Sequence, residues 1–243
     1  LVMYMLSALS HMLPPPQYLT MPAIGVDISD TSLKYIQLEQ DLRPEANQTL
    51  LDWGEVSIPS GVVSRGLVSK PKQLVSVLAE FKEKTGAEFV RVSLPEERAY
   101  LFETEVKHST PPKEVRGLLE FRLEENVPIP SKDVFFDYVF LPGRSSRSVK
   151  VAVAAYAKET IQHYYDACIT AGLHPVSFEV EAQAMARAVV PQDMSGAVML
   201  VDFGKTRTGI GIVYQGVLLY TSTIDIGGDQ LSNALRKVLP PDT

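Results

Sequence analysis

The sequence predicts an α/β protein in which a meander of strands feeds a helix near each end, with a smaller strand-and-helix insert between them. Three observations predict it. Short runs of strand character alternate with stretches of helical periodicity from Ala23 onward. The order of three strands and a helix over 23–84 recurs over 197–239, the pattern of a two-lobed fold with similar halves. Each copy opens on an apolar strand that ends in an aspartate, Asp27 or Asp202.

In order, strands are expected at Ala23–Ser29, Leu33–Gln40 and Thr49–Ile58, separated by turns rich in Asp, Ser and Asn. A helix opens at Pro71, which suits a first helical turn. It runs to Lys84 with Leu74, Val75, Leu78 and Phe81 as its apolar stripe, and Gly86 ends it. A buried strand, Glu88–Leu94, completes this unit. The insert then offers strands at Arg98–Val106, Val134–Phe140 and Val149–Tyr156. Its helices run from Pro111-Pro112 to about Glu125 and from Lys158 to Ala171, the latter closed by Gly172. A strand at Val176–Val180 leads into a helix at Glu181–Val189, whose alanines 182, 184, 186 and 188 suit close packing. Strands at Ala197–Asp202, Thr206–Tyr214 and Val217–Ile224 follow. Gln215-Gly216 makes a tight hairpin turn, and Gly227-Gly228 opens a last helix to Leu239.

Composition bounds the function. A chain of 243 residues, 45% hydrophobic and 21% charged, buries a sizeable core and lies far from the disordered class. Its net charge of −6 and scattered basic residues exclude a large nucleic-acid footprint. A single cysteine, Cys168, sits in an apolar helical run as a small hydrophobe and cannot form an intramolecular disulfide, so nothing calls for an oxidising compartment and the cytoplasm is the default. The four histidines lack ligand spacing, and no P-loop or Ser-His-Asp pattern occurs. Residues 1–21 are apolar at first but too short to span a bilayer, which needs roughly 20 apolar residues. They are expected to be a leader, either mobile or foreign to the natural start, with a membrane-touching segment as the alternative.

Two segments carry the chemistry: Gly25-Val-Asp-Ile-Ser-Asp-Thr-Ser-Leu-Lys34 and Val201-Asp-Phe-Gly-Lys-Thr-Arg-Thr-Gly-Ile210. Small residues let backbone N–H groups approach phosphate oxygens, hydroxyls add donors, and a strand-end carboxylate suits a hydrated magnesium ion. The alternative for each aspartate is an Asx cap on its turn. Lys34 as a solvated strand residue and Glu181 as a charge favourable to its helix dipole are equally simple readings.

These segments resemble the phosphate-1 and phosphate-2 motifs of the actin and sugar kinase ATPase superfamily. Within it the chain most resembles the PilM family of type IV pilus assembly proteins, from Ala23 to the end. That resemblance also rests on Tyr35–Glu39, Leu119–Pro130, Val176–Ala186 and Gly227–Leu231. It implies an actin-like ATPase (RNase H-like) fold with a 1C-type insert. Subdomain 1A would comprise 22–94 and 176–196, the insert 95–175, and the start of a second lobe, cut short, 197–243. It implies ATP and Mg2+ as ligands, with Asp27 and Asp202 on the magnesium side. Ser29, Thr31, Ser32, Lys34, Gly204, Thr206 and Thr208 would line the phosphates, and Glu181 would sit near the attacking water. Ser29 stands where the family commonly has glycine, and Lys205 and Arg207 depart from its pattern. The adenosine motif expected later in such proteins is not in this sequence, so weak ATP binding or none is expected of the chain as it stands.

The partner implied is the cytoplasmic N-terminal tail of a PilN-like inner-membrane protein, docked between the 1A and 1C subdomains, alongside other pilus platform proteins. The protein would be cytoplasmic, peripheral to the inner face of the membrane, and at most a slow ATPase. An FtsA-like division protein, a GspL-like secretion-platform domain without turnover, and a small-molecule kinase are the competing readings.

Overall fold

The computed structural model describes residues 22–39, 49–143, 147–191 and 193–238. The expected leader and the expected last helical residue, Leu239, lie outside them. The chain divides into two compact units, Leu1–Ser93 with His163–Phe178, and Leu94–Gln162 with Glu179–Thr243.

The first unit is built on five strands: β1 (Ala23–Ile28), β2 (Ser32–Leu38), β3 (Leu50–Ser57), β6 (Phe89–Leu94) and β10 (His174–Val180), in the order β10-β6-β1-β2-β3. β1 alternates half-buried and buried residues, so Ile24, Val26 and Ile28 all face one side. β1 to β3 form an antiparallel meander, whereas β6 lies parallel to β1, which demands a crossover. Helix α1 (Pro71–Thr85) supplies it. Pro71 stands in its first turn, and Gly86 caps it at φ 68° with its N–H donated to the Lys82 carbonyl. Its buried stripe is Leu74, Val77, Leu78 and Phe81, not the expected Val75, because spacing of three and four keeps side chains on one face. Tyr35 of β2 packs against Phe81 at 5.3 Å between ring centroids. Between β3 and α1 lies a two-stranded ribbon, β4 (Val63–Ser64) and β5 (Leu67–Val68), without precedent in the sequence pattern.

Helix α3 (Lys158–Thr170) contributes its second half to this unit. The Tyr164 hydroxyl donates to the Gly66 carbonyl at 3.1 Å, and Lys82 donates to the Gly172 carbonyl, tying α3's end to α1. Cys168 is fully buried here, and burial pushes its thiol up to about 12. A disulfide-exchange reagent at neutral pH should therefore leave the native protein unlabelled and modify it fully once unfolded in guanidinium. Rapid labelling of the native protein would contradict this packing.

In the second unit, β7 (Tyr100–Lys107), β8 (Val134–Phe140) and β9 (Ser148–Ala157) form an antiparallel sheet in the order β7-β9-β8. Helix α2 (Pro112–Asn126) buries Val115, Leu119 and Leu123 against it, one residue per turn, with Phe136, Val151 and Val153 opposite. Helix α4 (Glu181–Val189) follows β10, and β11 (Ala197–Phe203), β12 (Thr208–Tyr214) and β13 (Val217–Ile224) form a meander that leads into α5 (Gly228–Val238). Of α4's alanines, 182 and 186 are buried while 184 and 188 are not, since alternate residues point to opposite sides of a helix. A Cβ on Gly211 would lie 3.3 Å from that of Ala182, so helix and sheet are in direct contact. The Gln215-Gly216 turn carries φ of 50° and 80°, as a two-residue hairpin with both central residues left-handed requires. Gln183 of α4 holds it by donating to the Gly216 carbonyl and accepting from the Leu218 N–H.

Candidate functional site

Both aspartate-bearing hairpins form, one in each unit. In the first, Asp27 near the end of β1 lies beside Lys34 of β2 and Ser93 of β6, and the Ser93 hydroxyl donates to its carboxylate at 2.6 Å. The turn Ser29–Ser32 closes on itself: the Ser29 N–H and hydroxyl both donate to the Ser32 carbonyl at 2.9 Å. In return the Ser29 oxygen accepts the N–H groups of Thr31 and Ser32 at 3.4 and 3.2 Å. The amides expected to meet a phosphate are thus engaged by the Ser29 side chain. Thr31 is half-buried, Ser32 buried, and Lys34 exposed.

In the second unit, Asp202 and Phe203 end β11, and the loop Gly204–Arg207 returns the chain into β12. The Gly204 N–H donates to the Arg207 carbonyl at 2.9 Å. The start of α5 is stitched onto this loop: the N–H groups of Gly228 and Asp229 donate to the carbonyls of Gly204 and Lys205, and Gln230 donates to that of Thr206. Thr208 is buried, its hydroxyl donating to the Ile226 carbonyl at 2.6 Å. Glycine is required where loop and helix meet, since a Cβ on Gly227 would fall 2.6 Å from the Arg207 nitrogen.

Sequence reasoning missed the acids that adjoin this loop. Glu96 and Glu97 lie on a short 3-10 turn, Glu96–Arg98, that follows β6. Glu96 is only 9% exposed; its carboxyl shares a hydrogen bond with Glu181 at the start of α4 and lies 3.5 Å from the Thr223 hydroxyl. Gly209 makes room for it: a Cβ there would come within 2.3 Å of the Glu96 oxygen. Burial, with the charge of Asp202 adding to it, pushes the Glu96 carboxyl above its ordinary value of 4.5. The Glu96 and Glu181 carboxyls stand within hydrogen-bond reach of each other, so each orients the other. The available signal was a pair of acids after Leu94-Pro95 at a buried strand's end. Arg207, the unexpected cation of the loop, donates its Nη1 to the Glu97 carboxylate, and its Nε lies 3.9 Å from Asp225.

The direction at Glu96 makes a pH prediction. The folded protein holds this proton more tightly than the unfolded chain, so its contribution to stability is complete below the ordinary carboxylate value and is lost as pH rises. Glu96→Gln keeps a donor toward Glu181 and abolishes the titration. Urea unfolding from the carboxylate range to neutrality should show the variant gaining on the natural protein as pH rises. Parallel curves would refute the assignment.

Among the described residues, no group of three or more His, Cys, Asp or Glu could hold a metal ion, and no helix is long and apolar enough to cross a membrane. Residues 25–239 match the family described as type IV pilus assembly protein PilM. Among solved structures, the chain is similar to a chain of a PilM–PilN type IV pilus biogenesis complex. The TM-score is 0.74 at 21% identity, covering 90% of this chain and 66% of that one. It is also similar to the cytoplasmic domain of EpsL, an inner-membrane component of the type II secretion system of Vibrio cholerae. There the TM-score is 0.53 at 15% identity, covering 90% of this chain and 78% of that one. The fold is therefore the actin-like ATPase fold, and this chain spans 66% of the length of the first structure's matching chain.

Proposed function

This chain belongs to the family of type IV pilus assembly protein PilM, and from that premise we propose that it is a cytoplasmic, actin-like scaffold of the pilus machinery. It docks the cytoplasmic tail of a PilN-like inner-membrane protein at the inner face of the membrane, alongside other platform proteins. The observation that carries this reading is the family match across 25–239, seconded by the likeness to a protein solved in complex with PilN.

ATP with magnesium is the ligand of the whole protein in this reading. Asp27 and Asp202 hold the magnesium side, and Ser29, Thr31, Ser32, Lys34, Gly204, Thr206 and Thr208 line the phosphates. The second hairpin suits that role through the Thr206 hydroxyl and the amides that follow Gly204, since the Gly204 N–H is itself given to the Arg207 carbonyl while the loop's carbonyls are turned to α5. The first hairpin suits it less, because a phosphate oxygen must displace Ser29 as acceptor of the Thr31 and Ser32 amides. Any hydrolysis of ATP is slow, with Glu181 beside the attacking water and oriented by Glu96.

A second reading, the same scaffold without ATP turnover, is favoured by that engagement of Ser29. Calorimetric titration of ATP with magnesium into the whole encoded protein separates the two. Saturable heat that disappears in Asp202→Ala and Asp27→Ala is expected. Its absence from the natural protein would move the function to the nucleotide-free scaffold.

A further inference from the structure

We propose that Arg207 is a further anion-binding residue of the 204–208 hairpin, and that Glu97 is a built-in competitor which occupies it until a phosphate takes its place. This rests on the nucleotide reading above and assigns a regulation to the same loop.

Arg207 is held at both its backbone and its guanidinium. Its backbone is fixed within the loop by the Gly204 N–H on its carbonyl, and the neighbouring loop carbonyls are fixed by α5. Its guanidinium is held by groups from elsewhere: Glu97, 110 residues away on the 3-10 turn, and Asp225 at the end of β13. Arg207 can therefore change partners by side-chain rotation alone, with no rearrangement of the stitched loop.

The Arg207 and Glu97 side chains are 16% and 20% exposed, so neither charge is left without a partner cheaply. Asp225, 62% exposed, lies 3.9 Å from the guanidinium, where solvent screens the pair. A planar guanidinium matches carboxylate and phosphate oxygens equally in geometry, and a terminal phosphate carries more charge. Exchange of Glu97 for a phosphate keeps the guanidinium paired and releases Glu97 toward solvent.

The opposite role, a fixed strut between the 3-10 turn and the hairpin, predicts the opposite sign. If Glu97 competes, Glu97→Gln frees the arginine and tightens Mg·ATP binding by about fivefold or more, the lower end of typical coupling. If Glu97 is a strut, Glu97→Gln loosens the loop and weakens binding as Arg207→Met does.

The test is calorimetric titration of ATP with magnesium into the whole encoded protein and into Glu97→Gln, Arg207→Met, Arg207→Lys and the Glu97→Gln/Arg207→Met pair, each first shown to melt cooperatively. The expected result is tighter binding by Glu97→Gln, weaker binding by Arg207→Met, partial rescue by Arg207→Lys, and a pair that behaves as Arg207→Met alone. Binding by Glu97→Gln alone, with none by the natural protein, would also support the proposal. Unchanged or weaker binding by Glu97→Gln overturns it while leaving the nucleotide reading intact. No binding by any of the five removes the nucleotide reading and this inference together.

Discussion

Replacing Gly227 by alanine should destabilise the protein by about 3 kcal/mol, at the upper end of what overpacking costs. The new Cβ would stand 2.6 Å from the Arg207 nitrogen and 2.7 Å from the carbonyl oxygens of Gly204 and Lys205. All three are backbone atoms, so no side chain can swing aside. Relief requires α5 to move off the loop, which breaks the bonds from Gly228 and Asp229 to the same two carbonyls. The variant should therefore lose ligand binding at the hairpin along with stability. Gly117, exposed in the middle of α2 with open space where its Cβ would lie, is the control. Alanine there should stabilise by about 0.5–1 kcal/mol. Urea unfolding of the two variants checks both signs, and a neutral Gly227→Ala would show that the loop and helix are not in contact.

Leu119→Ala should cost about 2–5 kcal/mol, while removing Phe121, two residues along the same helix, should change stability by less than about 0.5 kcal/mol. Leu119 is 0% exposed and central to the core that α2 forms with β7, β8 and β9; Phe121 is 78% exposed. Hydrogen exchange should show the loss concentrated in 100–157, with the amides of β1 and β2 protected as before. An equal effect from both substitutions would mean that α2 does not present the 115–119–123 face to the sheet.

Much of this fold was legible because it is encoded locally. Gly86 and Gly172 end helices at positive φ, and Pro71 begins one, each for a reason a single residue carries. The Gln215-Gly216 hairpin likewise follows from two residues that tolerate left-handed backbone. The β4–β5 ribbon was not legible, since strands of two residues have no periodicity to read. The helix faces were displaced by one or two positions at Val75 and at Ala184 and Ala188, where composition was read in place of spacing.

The candidate site divides the same way. Its two hairpins could be found from an apolar strand, an aspartate and hydroxyls in sequence. Glu96 and Glu97 could not, because their importance arises from Arg207, Gly209 and Thr223, more than a hundred residues downstream. At Ser29 the sequence flagged a side chain that limits close approach, whereas the structure shows an added effect: its oxygen consumes the amides next to it.

A scaffold that holds the tail of a membrane partner is tested most directly by a binding titration of that tail. A fluorescently labelled peptide with the cytoplasmic N-terminal sequence of the PilN-like protein from the same organism is titrated with the whole encoded protein, with and without ATP and magnesium. The account predicts saturable binding that a scrambled peptide does not reproduce and that Leu119→Ala weakens. Equal and unsaturable signals from the native and scrambled peptides, under both nucleotide conditions, would contradict it.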